Sequence, residues 1–135
     1  MRDLSQLHDY INGARPEVRD YCLKHIDLYT KGRKRTHPGI QKKEGGFGQH
    51  ILQVIERVLE LNQECDQREL VECVLVHDLP HCDRLPFLSE AQMLAIAATK
   101  GKATYSDWRH TPHYKFVVLI LIADMWSAFI NEKNL

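Results

Sequence analysis

Apolar residues recur along this chain at steps of three and four, the spacing that gathers them on one face of an α-helix. The clearest case is the segment 51–61, where apolar residues recur at helical intervals. Polar residues, including Gln53, Glu56 and Glu60, occupy the positions predicted to face solvent. The same spacing predicts further helices over the ranges 4–11, 17–29, 67–78, 89–100 and 112–132. The sequence therefore predicts an all-α fold, a compact bundle of about five to six helices.

Local sequence signals set the starts of several predicted helices. Pro16 suits a first helical position, where its missing N–H costs nothing. Asp66 leads into the helix 67–78, and Ser89 followed by Gln92 forms the capping-box pattern. These signals favour helix starts close to residues 16, 67 and 90.

The last predicted helix is apolar on nearly every face between residues 116 and 123. A helix of this kind is expected at the centre of a fold. Asp124 follows the apolar run directly, and an ionised carboxylate is costly to bury unless it is paired or bound to a metal. Asp124 therefore either has a partner or begins an exposed face that continues through Ser127 and Asn131.

Length and charge are those of an ordinary globular protein. The 135 residues predict one domain, 1–135, with N-terminal helices over 3–30, a basic loop over 31–46 and a helical core over 45–132. Lys and Arg total 18, as do Asp and Glu, so no overall field directs the chain to nucleic acid or to a membrane.

The cysteines and the apolar segments indicate the cellular compartment in which the protein is expected. The four cysteines include no CxxC pair, which favours a reduced protein. The opening MRDLSQLHDY lacks the apolar segment of a signal peptide. The apolar run 116–123 is too short to span a bilayer. We therefore expect a cytoplasmic protein that does not associate with membranes.

Candidate chemistry first appears where the apolar run 71–76 ends in the pair His77-Asp78. Imidazole and carboxylate side by side are suited to bind Zn, Fe, Mn or Ni. The alternative is that Asp78 only caps the helix end and that His77 is a hydrogen-bonded core histidine. The rest of the chain decides between these two interpretations.

The least regular part of the sequence, residues 31–46, is strongly basic. Its cationic residues are Lys31, Arg33, Lys34, Arg35, Lys42 and Lys43. They form either a solvated loop or a basic lid over an anionic substrate, because Lys and Arg neutralise phosphate. A short basic run does not distinguish a nucleotide from a polynucleotide.

Ligand-type residues recur in a fixed order along the predicted helices. His50 follows a glycine-rich stretch at the first turn of its helix, His77-Asp78 ends the next helix, and Asp124 lies on the last. This order of His, His-Asp and Asp resembles the HD-domain superfamily of metal-dependent phosphohydrolases. The matching pieces are GQHILQV at 48–54, LVHDLPH at 75–81 and LIADM at 121–125, and Pro80 replaces the usual glycine of the family. The resemblance covers about residues 45–130.

The resemblance implies a divalent ion held by His50, His77, Asp78 and Asp124. Its identity is open among Mn, Fe, Co, Ni and Zn, and one or two ions are implied. Asp78 is expected to accept a proton from the attacking water, and His81 to contact a substrate oxygen. The implied activity is hydrolysis of a small phosphorylated substrate, with a nucleotide favoured and a homo-oligomer as a possible assembly.

Three further residues and two alternative functions stay open. Arg109, His110 and His113 would bind a second metal, contact phosphate, or form a plain surface loop. The first alternative function is an HD-type nuclease, which would use the basic loop and bind nucleic acid with steep salt dependence. The second is a non-catalytic helical module with a structural zinc at Cys73, His77 and His81, next to Cys82.

Overall fold

The computed structural model describes residues 4–31 and 45–130, and in these two ranges it is all-α with no β-strand. Seven α-helices occur there, one or two more than predicted because a four-residue helix lies in the predicted loop. They are α1 (Ser5–Asn12), α2 (Pro16–Lys24), α3 (Gly46–Leu61), α4 (Gln67–Val76), α5 (Glu90–Thr99), α6 (Tyr105–Trp108) and α7 (Tyr114–Met125). The prediction of an all-α fold is confirmed.

The segment predicted as one helix over 17–29 is two elements. Helix α2 begins at Pro16, as predicted, and ends at Lys24 because His25 leaves the helical conformation, with φ −112° and ψ 22°. A 3₁₀-helix, Ile26–Thr30, follows. After this break Tyr29 lies in the core, and the residue is 1% exposed.

Helix α3 packs at its N-terminal end against this 3₁₀-helix. Gly45 has a positive φ of 79°, which lets the chain turn into the helix, and Gly48 faces the backbone of Tyr29. A Cβ at Gly48 would lie 2.7 Å from the Tyr29 carbonyl oxygen. The glycine therefore serves helix packing. Gln53, placed on the wet face by its pattern, is buried.

The core forms where α3, α4, α5 and α7 meet. Helix α3 packs on α4 and α7, and α5 packs on α4 and α7. The Asp66 side chain caps α4, and Ser89 and Gln92 form both bonds of the predicted capping box at α5. Helix α4 ends at Val76, slightly earlier than predicted.

Helix α7 is the largest departure from the predicted pattern. Only one side of it, including Phe116, Val117 and Ile120, is buried, whereas Ile122 and Met125 are 50% and 59% exposed. The prediction of a fully surrounded central helix is therefore wrong, since α3 and α5 cover only part of its circumference. After Met125 the chain continues in π-helical winding over Trp126–Ile130.

An ion pair between the partly exposed Arg15 and the buried Glu72 joins the N-terminal helices to the core. The Arg15 side chain donates to Glu72 at 2.8 Å and to the Phe87 carbonyl at 3.1 Å. Gln92 donates to the same Glu72 carboxylate at 3.3 Å, and Arg68 lies 3.5 Å from it. Glu72 is 2% exposed, so its charge is compensated by these donors in place of water.

Across residues 4–31 and 45–130, none of the helices is both long and apolar enough to cross a membrane.

Candidate metal centre

Three helix ends bring four ligand-type side chains to one point. His50 lies near the start of α3, His77 and Asp78 follow the last residue of α4, and Asp124 is near the end of α7. One ligand atom from each of these residues lies within 4.8 Å of the others. Within the described ranges, this is the one group of three or more His, Cys, Asp and Glu residues whose ligand atoms lie close enough together to hold a metal ion.

The distances between ligand atoms suit a shared cation. Asp124 Oδ1 lies 2.9 Å from His50 Nε2 and 3.1 Å from His77 Nε2. Asp78 Oδ2 lies 3.2 Å from His77 Nε2 and 3.6 Å from His50 Nε2. Ligand atoms about 2.1 Å from one ion are about 3.0 Å apart in octahedral and about 3.4 Å apart in tetrahedral coordination. The four side chains therefore fit a first-row divalent metal ion, for which two imidazoles and two carboxylates are a suitable donor set.

Hydrogen bonds on the far side of each imidazole orient both rings. His77 Nδ1 lies 2.7 Å from the Val74 carbonyl oxygen, which can only accept, so Nδ1 carries the proton. His50 Nδ1 lies 3.0 Å from the hydroxyl of Ser127, which itself donates to Gln53 Oε1 at 2.7 Å. With a metal ion bound, each ring would be neutral and its unprotonated nitrogen would be Nε2, which faces the cluster. This is the arrangement that metal-bound histidines adopt.

The C-terminal end of α4 contributes to the same site. Its last carbonyl groups lack partners within the helix, and other groups satisfy them. The Tyr29 hydroxyl donates to the Leu75 carbonyl at 2.8 Å, and the thiol of Cys82 donates to the His77 carbonyl at 3.1 Å. The negative end of the helix dipole lies beside His77, so it favours a cation at this position.

Charge coupling within the cluster is strong. Burial lowers the pKa of the His77 imidazole, but the carboxylates of Asp78 and Asp124 raise it by more, so this pKa lies well above its usual value of 6.5. Burial raises the pKa of Asp124, but the imidazoles of His77 and His50 outweigh it and hold this pKa below its usual value. The pocket thus favours positive charge between the carboxylates, either as a proton or as a metal cation.

The cluster is closed on one side and open on the other. The side chains of His50 and His77 are 0% and 1% exposed, whereas those of Asp78 and Asp124 are 27% and 24% exposed. The imidazoles therefore form the floor of the site, and the carboxylates lie at its mouth. A small molecule can approach a bound cation from the carboxylate side.

Other predicted site residues lie apart from this cluster. His81 is exposed in the turn after α4, with a left-handed φ of 57°, so it does not share a helix face with His77. His113 precedes α7 and lies 3.5 Å from Glu90, and helical rise places Asp124 about 16 Å farther along the axis. His110 is exposed. The guanidinium carbon of Arg109 lies over the Tyr105 ring, 5.6 Å from the ring centroid. Among the described residues, these histidines form no second ligand group with the cluster.

The structural-zinc alternative is not supported by the positions of its residues. Cys73 is buried and its thiol contacts the Gln92 carbonyl at 3.9 Å. Helix α4 ends before His77, so Cys73, His77 and His81 do not line one helix face. In the described part of the chain they form no group of converging ligand atoms.

Most of the predicted basic loop lies outside the described residues. This applies to Arg33, Lys34, Arg35, Lys42 and Lys43, whereas Lys31 is described and exposed. Two backbone hydrogen bonds join the ends of this segment, from the Gly45 N–H to the Thr30 carbonyl and from the Phe47 N–H to the Lys31 carbonyl. The segment therefore leaves and re-enters the described structure at the N-terminal end of α3, about one turn before His50.

Sequence reasoning missed the residues that support the ligands. Ser127 follows Asp124 by three positions and Gln53 follows His50 by three, so each pair shares a helix face. That spacing was the available signal. Tyr29 and Cys82 carried no comparable signal, because their carbonyl partners are set by the tertiary packing.

The chain is thus helical and carries a His/Asp group able to hold a metal ion, which is compatible with an HD-like domain. No family model matches the sequence, and searches of curated proteins and of solved structures find no match. Function is therefore inferred from the site itself.

Proposed function

We propose that this chain is a metal-dependent phosphohydrolase of the HD type that acts on a small phosphorylated substrate, with a nucleotide as the favoured class. The observation that carries the proposal is the convergence of His50, His77, Asp78 and Asp124 from three helices. A divalent ion at such a site lowers the pKa of water and neutralises charge on a phosphoryl group.

The residues at the mouth of the site supply the remaining chemistry. Asp78 is partly exposed and lies at the open side, where it would accept the proton of a water that attacks phosphorus as the ester P–O bond breaks. Asp124 bridges the two imidazoles and fixes the positions of both nitrogen ligands. His81, exposed in the turn just after Asp78, is the candidate for contact with a substrate oxygen.

An anionic substrate fits the surroundings of the site. The basic segment begins and ends beside the first turn of α3, which carries His50. The sequence between these two anchors carries Arg33, Lys34, Arg35, Lys42 and Lys43. Arg and Lys are the side chains that bind phosphate oxygens, so this composition favours a phosphorylated ligand.

The test is phosphate release by protein that has been stripped with a chelator and reloaded separately with Mn, Co, Ni, Fe or Zn. The substrates are nucleoside mono-, di- and triphosphates, with a single-stranded oligonucleotide to test for nuclease activity. We expect release from at least one nucleotide, its loss in Asp78→Asn, and its retention in Asp83→Asn. Asp83 is a matched control because it is a carboxylate nearby in the chain that pairs with Lys102 and lies outside the cluster.

Two results would contradict the proposal. Full phosphate release by Asp78→Asn would remove Asp78 from catalysis. Cleavage of the oligonucleotide with no turnover of any nucleotide would favour the nuclease instead.

A further inference from the structure

Two buried polar residues stand behind His50, on the side away from the metal-facing nitrogen. Ser127 is 0% exposed and Gln53 is 6% exposed. Burying a hydroxyl and an amide in a core is unfavourable unless they are hydrogen-bonded. Here each is bonded to the other, and the serine is also bonded to the imidazole.

The hydrogen bonds run in one direction. The Gln53 Oε1 atom can only accept, so the hydrogen of the Ser127 hydroxyl points to it at 2.7 Å. The Ser127 oxygen then accepts from His50 Nδ1 at 3.0 Å. A proton on Nδ1 leaves the lone pair of a neutral imidazole on Nε2, which faces Asp124 and Asp78.

The same chain segment contacts both nitrogens of this one ring. Asp124 lies at Nε2 and Ser127 at Nδ1, so the imidazole is held from both sides by the end of α7 and the residues just after it. Ser127 belongs to the π-helical segment Trp126–Ile130. Short stretches of π-helical winding occur often at functional sites, where they shift a side chain out of the α-helical register.

We propose that Ser127 and Gln53 are positioning residues for His50, which set its tautomer and ring orientation and thereby the affinity of the site for a divalent cation. The inference rests on the metal site of the proposed function and names two residues outside the four ligands. Losing the Ser127 hydroxyl removes the acceptor for Nδ1–H. Losing the Gln53 acceptor removes the contact that directs the serine hydrogen away from Nδ1, and this weakens the preference for the tautomer with a lone pair on Nε2.

His77 provides an internal comparison. Its Nδ1 donates to the backbone carbonyl of Val74, three residues earlier in the same chain segment. No side-chain substitution removes that acceptor, so the orientation of His77 persists in every variant. Changes in metal affinity at Ser127 or Gln53 therefore report on His50.

The experiment measures Co²⁺ binding by competition with a chelator, together with the visible absorption spectrum of the bound cobalt. The variants are Ser127→Ala, Gln53→Met, the acceptor-retaining Gln53→Glu, and His50→Ala as the reference for a lost ligand. Thr99→Ala is the matched control, since it removes a hydroxyl that donates to the Ile96 carbonyl at 2.7 Å, away from the cluster. Metal-free proteins are compared by circular dichroism and thermal unfolding.

We expect Ser127→Ala and Gln53→Met to weaken Co²⁺ binding by about 10- to 100-fold and to change the cobalt spectrum, as removal of outer-shell partners does. Gln53→Glu keeps an acceptor for the Ser127 hydroxyl and should keep the cobalt spectrum of the wild type, and Thr99→Ala should keep both the affinity and the spectrum. A purely structural role would lower the thermal midpoint and leave the affinity and spectrum of the folded variants unchanged.

The outcomes separate this inference from the proposed function. If the wild type binds Co²⁺ and both Ser127→Ala and Gln53→Met bind it equally well, the positioning role is overturned and the metal site stands. If the wild type binds no Co²⁺, the metal site and this inference fail together. If Ser127→Ala does not fold, the result for Gln53→Met tests the inference alone, because this variant removes the acceptor that orients the Ser127 hydroxyl and leaves the serine in place.

Discussion

Replacing Gly48 by alanine should destabilise the protein, although alanine is normally the better helix former. Gly48 lies inside α3, two residues before His50. A Cβ at this position would lie 2.7 Å from the Tyr29 carbonyl oxygen and 3.0 Å from both terminal methyls of Leu4. The backbone oxygen belongs to the 3₁₀-helix and cannot rotate away as a side chain could.

Two opposing terms set the size of the effect. Alanine in place of glycine inside a helix contributes about 1 kcal/mol of stability. Forcing extra volume into a packed contact costs about 1 to 3 kcal/mol. Since the closest contact is with backbone, we take the upper part of that range and expect a net loss of about 1 to 2 kcal/mol. For a chain of this size, the thermal midpoint should fall by about 3 to 8 °C.

The assay is urea unfolding at constant pH with chelator present, so that metal does not contribute. Gly13→Ala is the matched control, because its Cβ would find its nearest atom, the Asp9 carbonyl oxygen, at 3.5 Å, and its φ of −81° suits any residue. That variant should be neutral or more stable by about 0.4 to 1 kcal/mol. If Gly48→Ala is as stable as the wild type, α3 does not approach Tyr29 as closely as described.

Three more predictions concern the buried polar groups. Arg15→Ala should cost about 1 to 3 kcal/mol in urea unfolding, because buried Glu72 loses a charged donor while Gln92 and Arg68 stay beside it, and Arg15→Met combined with Glu72→Leu should recover most of that loss. Tyr29→Phe should cost about 1 to 3 kcal/mol, since a carbonyl at the end of α4 loses its buried donor. In metal-free protein the raised pKa of His77 stabilises the fold below about pH 6.5, and this contribution is lost as pH rises through that pKa. The lowered pKa of Asp124 stabilises it above about pH 4 and is lost on acidification. Urea unfolding from about pH 4 to 9 should therefore show both contributions in full between about pH 4 and 6.5, and a fall in stability as pH rises further through the raised pKa of His77. A flat profile would refute the coupling.

Most of the helices and three of the four ligands leave a local mark in the sequence, whereas His50 was indicated by the resemblance of the ordered set to the HD-domain superfamily. Apolar spacing gave the all-α fold, and the polar residues that end apolar runs, His77-Asp78 and Asp124, marked the cluster that the structure brings together with His50. Capping at Ser89 was equally local, since both partners lie within one turn.

What the sequence could not supply depends on contacts between distant segments. Gln53 occupies a position of the polar pattern but is buried because Ser127 supplies its partner from the other end of the chain. The outer face of α7 is as apolar as its inner face, so no pattern could show which side its neighbours cover. After α4 ends, the turn that contains Pro80 carries His81 away from His77. The sequence does not show this separation, which depends on the left-handed backbone conformation of His81.

The origin of the four ligands on three separate helices has a consequence for how the protein acquires its cation. No short peptide of this chain holds the complete donor set, so high-affinity capture must await assembly of α3, α4 and α7. A bound ion would then stabilise only the assembled fold, by an amount that grows with the ion concentration relative to its dissociation constant, because the unfolded chain does not hold the donor set together. Metal release and global unfolding should accordingly occur as a single event on heating.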